Sequence, residues 1–165
     1  MLLILIPGRY NSYCFNAALF ISSLTFILSL IMWLIFDSGH NSFQFLCTID
    51  WLPAFNFYYT VGVDGISLFF LILTTFLIMV CVLISWGSIN YRLKEYLINF
   101  LLLEFLLIQV FSVLDLLLFY VFFESILMPM FLIIGIWGSR ERKIRAAYQF
   151  FLYTLVGSVL MLLGI

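Results

Sequence analysis

The sequence predicts an all-α membrane protein with about five transmembrane helices. Of its 165 residues, 66% are hydrophobic and only 9% are charged, whereas soluble domains have about 45–50% apolar and about 25% charged residues. Five segments are apolar over the length of about 20 residues that a helix needs to cross a bilayer core of about 30 Å. A net charge of −1 provides no basic surface for nucleic acid. The composition therefore excludes a soluble enzyme, a nucleic-acid-binding protein and a disordered chain.

The apolar segments follow one another in a single membrane domain, 1–165. We expect spans at about 15–36, 65–86, 96–112, 115–137 and 146–165. As one helix, the long run from 96 to 137 would extend about 63 Å at about 1.5 Å per residue, about twice the membrane thickness. Ser112 and Asp115 are two polar residues that lie close together near the middle of this run. They predict a tight turn between two antiparallel helices.

The beginning of the sequence, the longest loop and the start of the second span add four smaller expectations. The apolar stretch before Pro7 is too short to span, and we interpret it as the remainder of a helix whose first part is absent. A signal peptide is excluded because the first long apolar run is longer than the apolar region of a signal peptide and is not followed by a cleavage site of small residues. The aromatic loop at 38–63 is expected to lie on the membrane surface. Asp64 is expected to be the N-cap of the second span.

The charges separate cleanly when five spans are counted. All the basic residues fall on one side: Arg9, Arg92, Lys94, Arg140, Arg142, Lys143 and Arg145. The other side receives Asp37, His40, Asp50, Asp64 and Asp115. By the positive-inside rule, the basic side faces the cytoplasm or the mitochondrial matrix.

Two acidic residues are predicted to lie inside the membrane. Glu104 lies about eight residues into the third span and Glu124 about nine residues past the turn, so an antiparallel hairpin brings both to one depth. A charged side chain near the bilayer centre costs about 2.5–3.5 kcal/mol and usually marks an ion or proton path. We interpret Glu124 as a proton-translocating residue and Glu104 as a possible proton relay. The alternative is that each acid is protonated and only hydrogen-bonded to a neighbouring helix.

Two further features of the spans, a proline and a stripe of small residues, carry predictions. Pro129 cannot donate a hydrogen bond to the carbonyl of Ser125, and the freed carbonyl needs water or another helix as its partner. This favours a hydrated site beside Glu124, although a packing kink is the alternative. Thr154, Gly157 and Ser158 form a stripe of small residues typical of close helix packing.

No cofactor or metal site is predicted. The three cysteines, Cys14, Cys47 and Cys81, show neither disulfide nor metal-ligand spacing. We interpret all three as buried thiols.

Several blocks of the sequence resemble a known family. These are Val63–Leu68, the run Asp115–Met130 with its pattern Phe-Phe-Glu124-(x)4-Pro129, and Tyr148–Ser158. They resemble the antiporter-like subunits in the membrane arm of proton-pumping NADH:ubiquinone oxidoreductase, respiratory complex I. The resemblance extends from about Phe15 to Ile165.

The resemblance implies a location, partners and residue roles. It implies a multi-pass protein of the mitochondrial inner membrane that forms part of a larger antiporter-like helical bundle. Glu124 matches the glutamate of a Glu–Lys pair that gates proton translocation, whereas Glu104 matches an acid found in only some relatives. The expected partners are other complex I membrane-arm subunits, membrane lipids and a separate chain carrying the missing later helices, with its lysines. No nucleic-acid partner is expected.

The function implied is that of one piece of a split or truncated subunit that couples quinone reduction to proton pumping. The chain would act as part of NADH:ubiquinone reductase, while NAD, FMN, the iron–sulfur clusters and ubiquinone belong to other subunits. Two alternatives remain open: a subunit of a related cation/proton antiporter, and a structural membrane scaffold without transport.

Overall fold

The computed structural model describes residues 11–37, 39, 42–52, 57–89 and 91–164. Their elements are α1 (Asn11–Ile35), β1 (Gln44–Leu52), β2 (Phe57–Val63), α2 (Gly65–Ser88), α3 (Leu93–Ser112), α4 (Leu116–Trp137) and α5 (Lys143–Gly164). All five helices are long and apolar enough to cross a membrane. The predicted helical membrane fold is therefore confirmed, with a β-hairpin added to it.

The helices pack mainly against their neighbours in sequence. Contacts run from α1 to α2, and on through α3 and α4 to α5, and α1 also packs against α3. Large apolar side chains cover the outer surface, as shown by Leu34 at 81% exposure and Tyr153 at 86%. An apolar exterior of this extent is typical of helices that face lipid or other membrane helices.

Asp64 and Asp115 each begin a helix. Asp64 accepts a hydrogen bond from the main-chain N–H of Gly65 at 2.7 Å, and its own N–H donates to Ser67 Oγ at 2.7 Å in a capping box. This confirms the predicted N-cap of α2. Asp115 caps α4, because its Oδ1 accepts from the main-chain N–H groups of Leu117 and Leu118 at 2.8 and 3.2 Å. Both carboxylates satisfy donors that a helix start leaves unpaired.

The turn between α3 and α4 lies where the polar residues predicted it. α3 ends at Ser112, and α4 begins at Leu116. The turn pairs with the hairpin, since the N–H of Leu114 donates to the carbonyl of Thr60 at 3.0 Å and Val113 forms a bridge with Val61. The hairpin and the α3–α4 turn therefore lie at the same end of the helices.

The β-hairpin was not predicted. Strands β1 and β2 pair antiparallel, with Thr48 opposite Thr60 and Ile49 opposite Tyr59. β2 is rich in β-branched and aromatic residues, which favour strands. Aromatic residues are also typical of a membrane interface, which is the reason the sequence predicted a surface loop here. The location of the hairpin on the membrane surface stays a prediction.

The connection between α2 and α3 and the connection between α4 and α5 meet at the opposite end of the helices. Because they carry basic residues, we call them the basic connections. The indole N–H of Trp137 donates to the carbonyl of Tyr91 at 2.9 Å, and the Trp137 ring lies 5.4 Å from that of Tyr96. Lys143 Nζ donates to the carbonyl of Ile136 at 2.7 Å. The α2–α3 and α4–α5 connections are thus neighbours, which agrees with the predicted separation of charge. Arg9 and His40 lie outside the described residues.

Two smaller predictions need correction. Cys14 is buried and Cys81 half-buried, but Cys47 is exposed, because it lies on β1, whose described side chains are largely exposed. Gly157 is also exposed, and a Cβ added there would meet nothing within 4 Å. Among the described residues, this glycine therefore makes no close helix contact, although its neighbour Ser158 is buried.

Candidate functional site

A layer of polar side chains crosses the contact between α1, α2 and α3. One apolar cluster of this contact contains Cys14, Phe15, Ala18, Ile78, Val82, Leu93, Leu97 and Leu103. The other contains Val63, Leu68 and Leu71, packed against Met32, Phe36, Ile72, Ile108 and Phe111. Five polar residues lie between the two clusters along the helices, and we call them the polar seam. They are Ser22, Thr25 and Ser29 on α1, Thr75 on α2 and Glu104 on α3. The seam therefore has apolar packing on both sides.

Glu104 is the acidic member of the polar seam. It is 3% exposed, and its Oε1 lies 2.5 Å from the hydroxyl of Thr25. Ser29 and Thr75 are hydrogen-bonded to each other at 3.0 Å. On α1, intervals of three and four residues place the hydroxyl residues of the seam on one helix face. A buried carboxyl is thus hydrogen-bonded to one hydroxyl side chain of α1, in a layer that contains three more.

Gln109 belongs to a different contact. Its Oε1 accepts a hydrogen bond from the hydroxyl of Tyr59 on β2. Burial raises the pKa of Tyr59 above 10.0, because desolvation disfavours the charged phenolate. Gln109 therefore connects α3 to the hairpin rather than to Glu104.

Glu124 lies on α4 at the same axial distance from the turn as Glu104. Glu104 precedes the end of α3 by eight residues, and Glu124 follows the first residue of α4 by eight, which corresponds to about 12 Å in each helix. Glu124 Oε2 is buried and has no hydrogen-bond partner among the described residues. An unpaired buried carboxylate oxygen is costly, so this atom requires a donor.

A second acceptor, the main-chain carbonyl of Ser125, lies on the residue after Glu124. α4 continues through Pro129, which is buried, and proline supplies no N–H for the carbonyl of Ser125. The Ser125 hydroxyl is already used, since it donates to the carbonyl of Val121 at 2.7 Å. The segment around Glu124 therefore presents acceptors that a water molecule or an ammonium group can bind.

The structure does not join the two predicted acids by a hydrogen bond. The described hydrogen bond of Glu104 is directed to α1, whereas Glu124 Oε2 has no described partner. The described residues also contain no group of three or more His, Cys, Asp or Glu that could hold a metal ion. The two glutamates therefore occupy different contacts at the same axial distance from the turn.

Comparison with known proteins identifies the relatives of this chain. Residues 113–165 match the family described as NADH:quinone oxidoreductase/Mrp antiporter, TM. NADH-ubiquinone oxidoreductase chain 4 of Chondrus crispus is 66% identical over 164 residues, which is 99% of this chain and 33% of that protein. The Arabidopsis thaliana protein of the same name is 56% identical over 165 residues, 100% of this chain and 33% of its own length. Over nearly its whole length, this chain is therefore similar to NADH-ubiquinone oxidoreductase chain 4.

A solved structure extends the similarity to three dimensions. A chain of respiratory complex I from Thermus thermophilus with bound NADH superposes with a TM-score of 0.76 and 30% sequence identity. The match covers 98% of this chain and 34% of that one. The chain therefore spans about one third of the length of the chain 4 proteins and of the complex I chain that it matches. The fold is that of an antiporter-like membrane domain.

The family match contains one of the two predicted site residues. Glu124 and Pro129 lie within residues 113–165, together with α4 and α5. Glu104 and the rest of the polar seam precede this region. The roles assigned to both glutamates from the sequence stay predictions.

Proposed function

We propose that this chain is a proton-translocating part of subunit 4 in the membrane arm of NADH:ubiquinone oxidoreductase, with Glu124 as a residue that takes up and releases the proton. The observation that carries this proposal is the buried Glu124 Oε2, which no donor satisfies within the described residues. A proton, a water molecule or a cationic side chain can each satisfy it. A carboxyl that alternates among these partners can transfer protons.

The surroundings of Glu124 support proton transfer over a purely structural role. The Ser125 carbonyl lacks the main-chain donor that Pro129 cannot provide, so a water molecule there would have two acceptors to bridge. A purely structural glutamate would be expected to have its buried carboxyl oxygens bonded within the helix packing, whereas Glu124 Oε2 has no such partner among the described residues. Glu104 is proposed as a second proton relay at the same axial distance from the turn.

The cationic partner of Glu124 is proposed to come from outside these 165 residues. The described Lys and Arg residues lie in the two basic connections or in the first turn of the helix that follows each of them, about 12 Å or more along the helices from the level of Glu124. A lysine on a later helix, carried by the same polypeptide or by a separate chain, would complete the charge pair. Such a pair would let a proton arriving at one member alter the charge of the other.

The location and the redox chemistry are also part of the proposal. We place the five helices as spans of one domain in the mitochondrial inner membrane, in contact with lipid and other membrane-arm subunits, with the basic end toward the matrix. NAD, FMN, iron–sulfur clusters and ubiquinone would be held by other subunits. This chain would contribute the response of its carboxyls to quinone reduction elsewhere in the complex.

Replacement of Glu124 by Gln tests the proposal. Glu124→Gln keeps the volume of the side chain but cannot exchange a proton, so the assembled complex should lose most of its NADH-driven proton pumping. Glu141→Gln, at an exposed position in a basic connection, is the matched control and should pump normally. Normal pumping by Glu124→Gln would exclude the proposed role.

A native gel followed by mass spectrometry tests the partners and the alternatives. Co-migration with NADH-oxidising activity and with peptides of later helices supports the complex I subunit. If those peptides form a polypeptide of their own, the separate-chain version is supported. Migration apart from NADH oxidation, with sodium-dependent proton exchange, would support the antiporter. Migration apart from NADH oxidation, with no transport activity, would support the structural membrane scaffold.

A further inference from the structure

We propose that Thr25 is a positioning residue for Glu104, whose hydroxyl reverses its hydrogen bond when Glu104 gains or loses a proton. This inference rests on the proposed function, because it assigns a partner to the second glutamate of the proton path. It makes α1 part of that path. The structural basis is a single hydroxyl oxygen that lies within hydrogen-bond distance of two oxygen atoms.

Thr25 Oγ1 lies 2.5 Å from Glu104 Oε1 and 2.9 Å from the carbonyl oxygen of Ser22. A hydroxyl has one hydrogen to donate and lone pairs to accept with, whereas a carboxylate can only accept. The hydrogen of Thr25 therefore cannot serve both oxygens fully at once. Which oxygen receives it depends on whether Glu104 carries a proton.

The two protonation states require opposite directions of this bond. When Glu104 is ionised, Thr25 donates to Oε1 and gives up its bond to the Ser22 carbonyl. When Glu104 is protonated, the acid donates to Thr25 Oγ1, and Thr25 donates to Ser22. Only rotation about the C–O bond of one hydroxyl separates the two arrangements, so the protein backbone does not have to move. Glu104 Oε1 and Thr25 Oγ1 therefore stay hydrogen-bonded to each other in either state.

The setting of this contact makes the reversal necessary. Glu104 is 3% exposed and the polar seam has apolar clusters on both sides, so bulk water is not available to solvate either form of the acid. A buried acceptor without a donor costs about 1–3 kcal/mol, and more when it is charged. A partner that can only donate, or only accept, would favour one protonation state. A hydroxyl accommodates both, which a proton relay requires.

The neighbouring pair of the seam has the same property. Ser29 Oγ lies 2.7 Å from the carbonyl of Phe26 and 3.0 Å from Thr75 Oγ1, and Thr75 Oγ1 lies 3.0 Å from the carbonyl of Leu71. If each hydroxyl donated to its own backbone carbonyl, no hydrogen would lie between the two oxygens. One of them must therefore donate to the other, and either can do so. The seam thus contains hydroxyl groups whose donor direction is free to change.

Substitutions at Thr25 in the assembled complex test the inference. Thr25→Val has almost the same shape but no hydroxyl, and we expect at least about a twofold fall in NADH-driven proton translocation, since hydrogen bonds to charged groups are among the stronger ones. Thr25→Ser keeps the hydroxyl and should restore the rate. Thr74→Val is the control, because Thr74 on α2 is half-buried and its described bond is to the Leu71 carbonyl.

A double substitution separates action through Glu104 from a packing effect. If Thr25 acts through Glu104, Thr25→Val should cause no additional loss in the Glu104→Gln background. Additive losses, a failure of Thr25→Ser to restore pumping, or normal pumping by Thr25→Val would each overturn the inference. Should Thr25→Val fail to assemble, Glu104→Asp replaces it: the acid is retained but drawn away from Thr25, and normal pumping would overturn the inference.

Measuring Glu124→Gln in parallel distinguishes the two proposals. If Glu124→Gln stops pumping while Thr25→Val pumps normally, the inference about Thr25 is wrong and the proposed function stands. If Glu124→Gln pumps normally while Thr25→Val does not, the proposed role of Glu124 is wrong and the relay through Thr25 stands.

Discussion

Trp137, the last residue of α4, donates its indole N–H to the main-chain carbonyl of Tyr91, 46 residues earlier in the chain, at 2.9 Å. This bond links the two basic connections. It holds the end of α4 beside the start of α3, while the α3–α4 turn joins the same two helices at their other end. The helix that carries Glu124 is thereby attached to the helix that carries Glu104 at both ends.

Loss of the Trp137 bond should loosen the basic end. In Trp137→Phe, the ring is retained in part but the carbonyl of Tyr91 loses its donor, which we expect to cost about 1 kcal/mol. Trp33→Phe, an exposed tryptophan on α1, is the matched control. Hydrogen exchange of the purified chain should show faster exchange at residues 91–95 and 138–145 in the first variant only. Equal exchange in both variants would contradict the importance of this bond.

Gly138 and Gly157 should respond oppositely to alanine. A Cβ at Gly138 would lie 2.4 Å from the carbonyl oxygen of Ile134 and 2.9 Å from the Cβ of Lys143, whereas one at Gly157 meets nothing within 4 Å. Gly138→Ala forces the α4–α5 connection to shift, at a cost of about 1–3 kcal/mol, the usual range for overpacking. Gly157→Ala should not be destabilising. Thermal unfolding in detergent measures both, and similar midpoints would contradict the geometry around Gly138.

The sequence predicted the features that depend on length and local chemistry. Five apolar runs gave five helices because a spanning helix must satisfy its backbone polar groups internally. Ser112 and Asp115 marked the turn, and Asp64 marked a helix start, since a side-chain oxygen there accepts from nearby N–H groups. None of these features requires knowledge of which helices are neighbours.

The polar seam could not be predicted in this way. Thr25 and Glu104 are 79 residues apart, and Ser29 and Thr75 are 46 apart, so their contacts depend on which faces of three helices meet. The available signal was the spacing of Ser22, Thr25 and Ser29, which repeats at three and four residues along α1. That pattern indicates a common face but not its partner. For the same reason, the sequence placed Glu104 and Glu124 at one depth without showing that Glu104 bonds to α1.

The cap of α4 should contribute to the stability of the Glu124 helix. Asp115→Ala removes the oxygen that accepts from two main-chain N–H groups, and we expect a loss of about 1 kcal/mol, within the usual range for N-caps. Asp115→Asn retains an acceptor oxygen and should lose much less. Hydrogen exchange at residues 116–119 measures the effect. If hydrogen exchange accelerates as much in Asp115→Asn as in Asp115→Ala, the charge of Asp115, rather than the cap bond, stabilises the helix start.

The contact between Tyr59 and Gln109 should make the attachment of the hairpin sensitive to alkaline pH. Burial raises the pKa of Tyr59 above 10.0 in the folded protein, so the folded state retains this proton at a pH where the unfolded state has released it. The stabilisation is therefore fully present below about pH 10 and is lost as pH rises through the folded pKa. Ionisation also removes the hydrogen that Tyr59 donates to Gln109. Above pH 10, the free energy of unfolding of the parent chain should thus decrease more steeply than that of Tyr59→Phe. The control is Tyr58→Phe, at the exposed neighbouring position, which should follow the parent chain. Parallel pH profiles for the parent and Tyr59→Phe would show that this phenol does not hold the hairpin against α3.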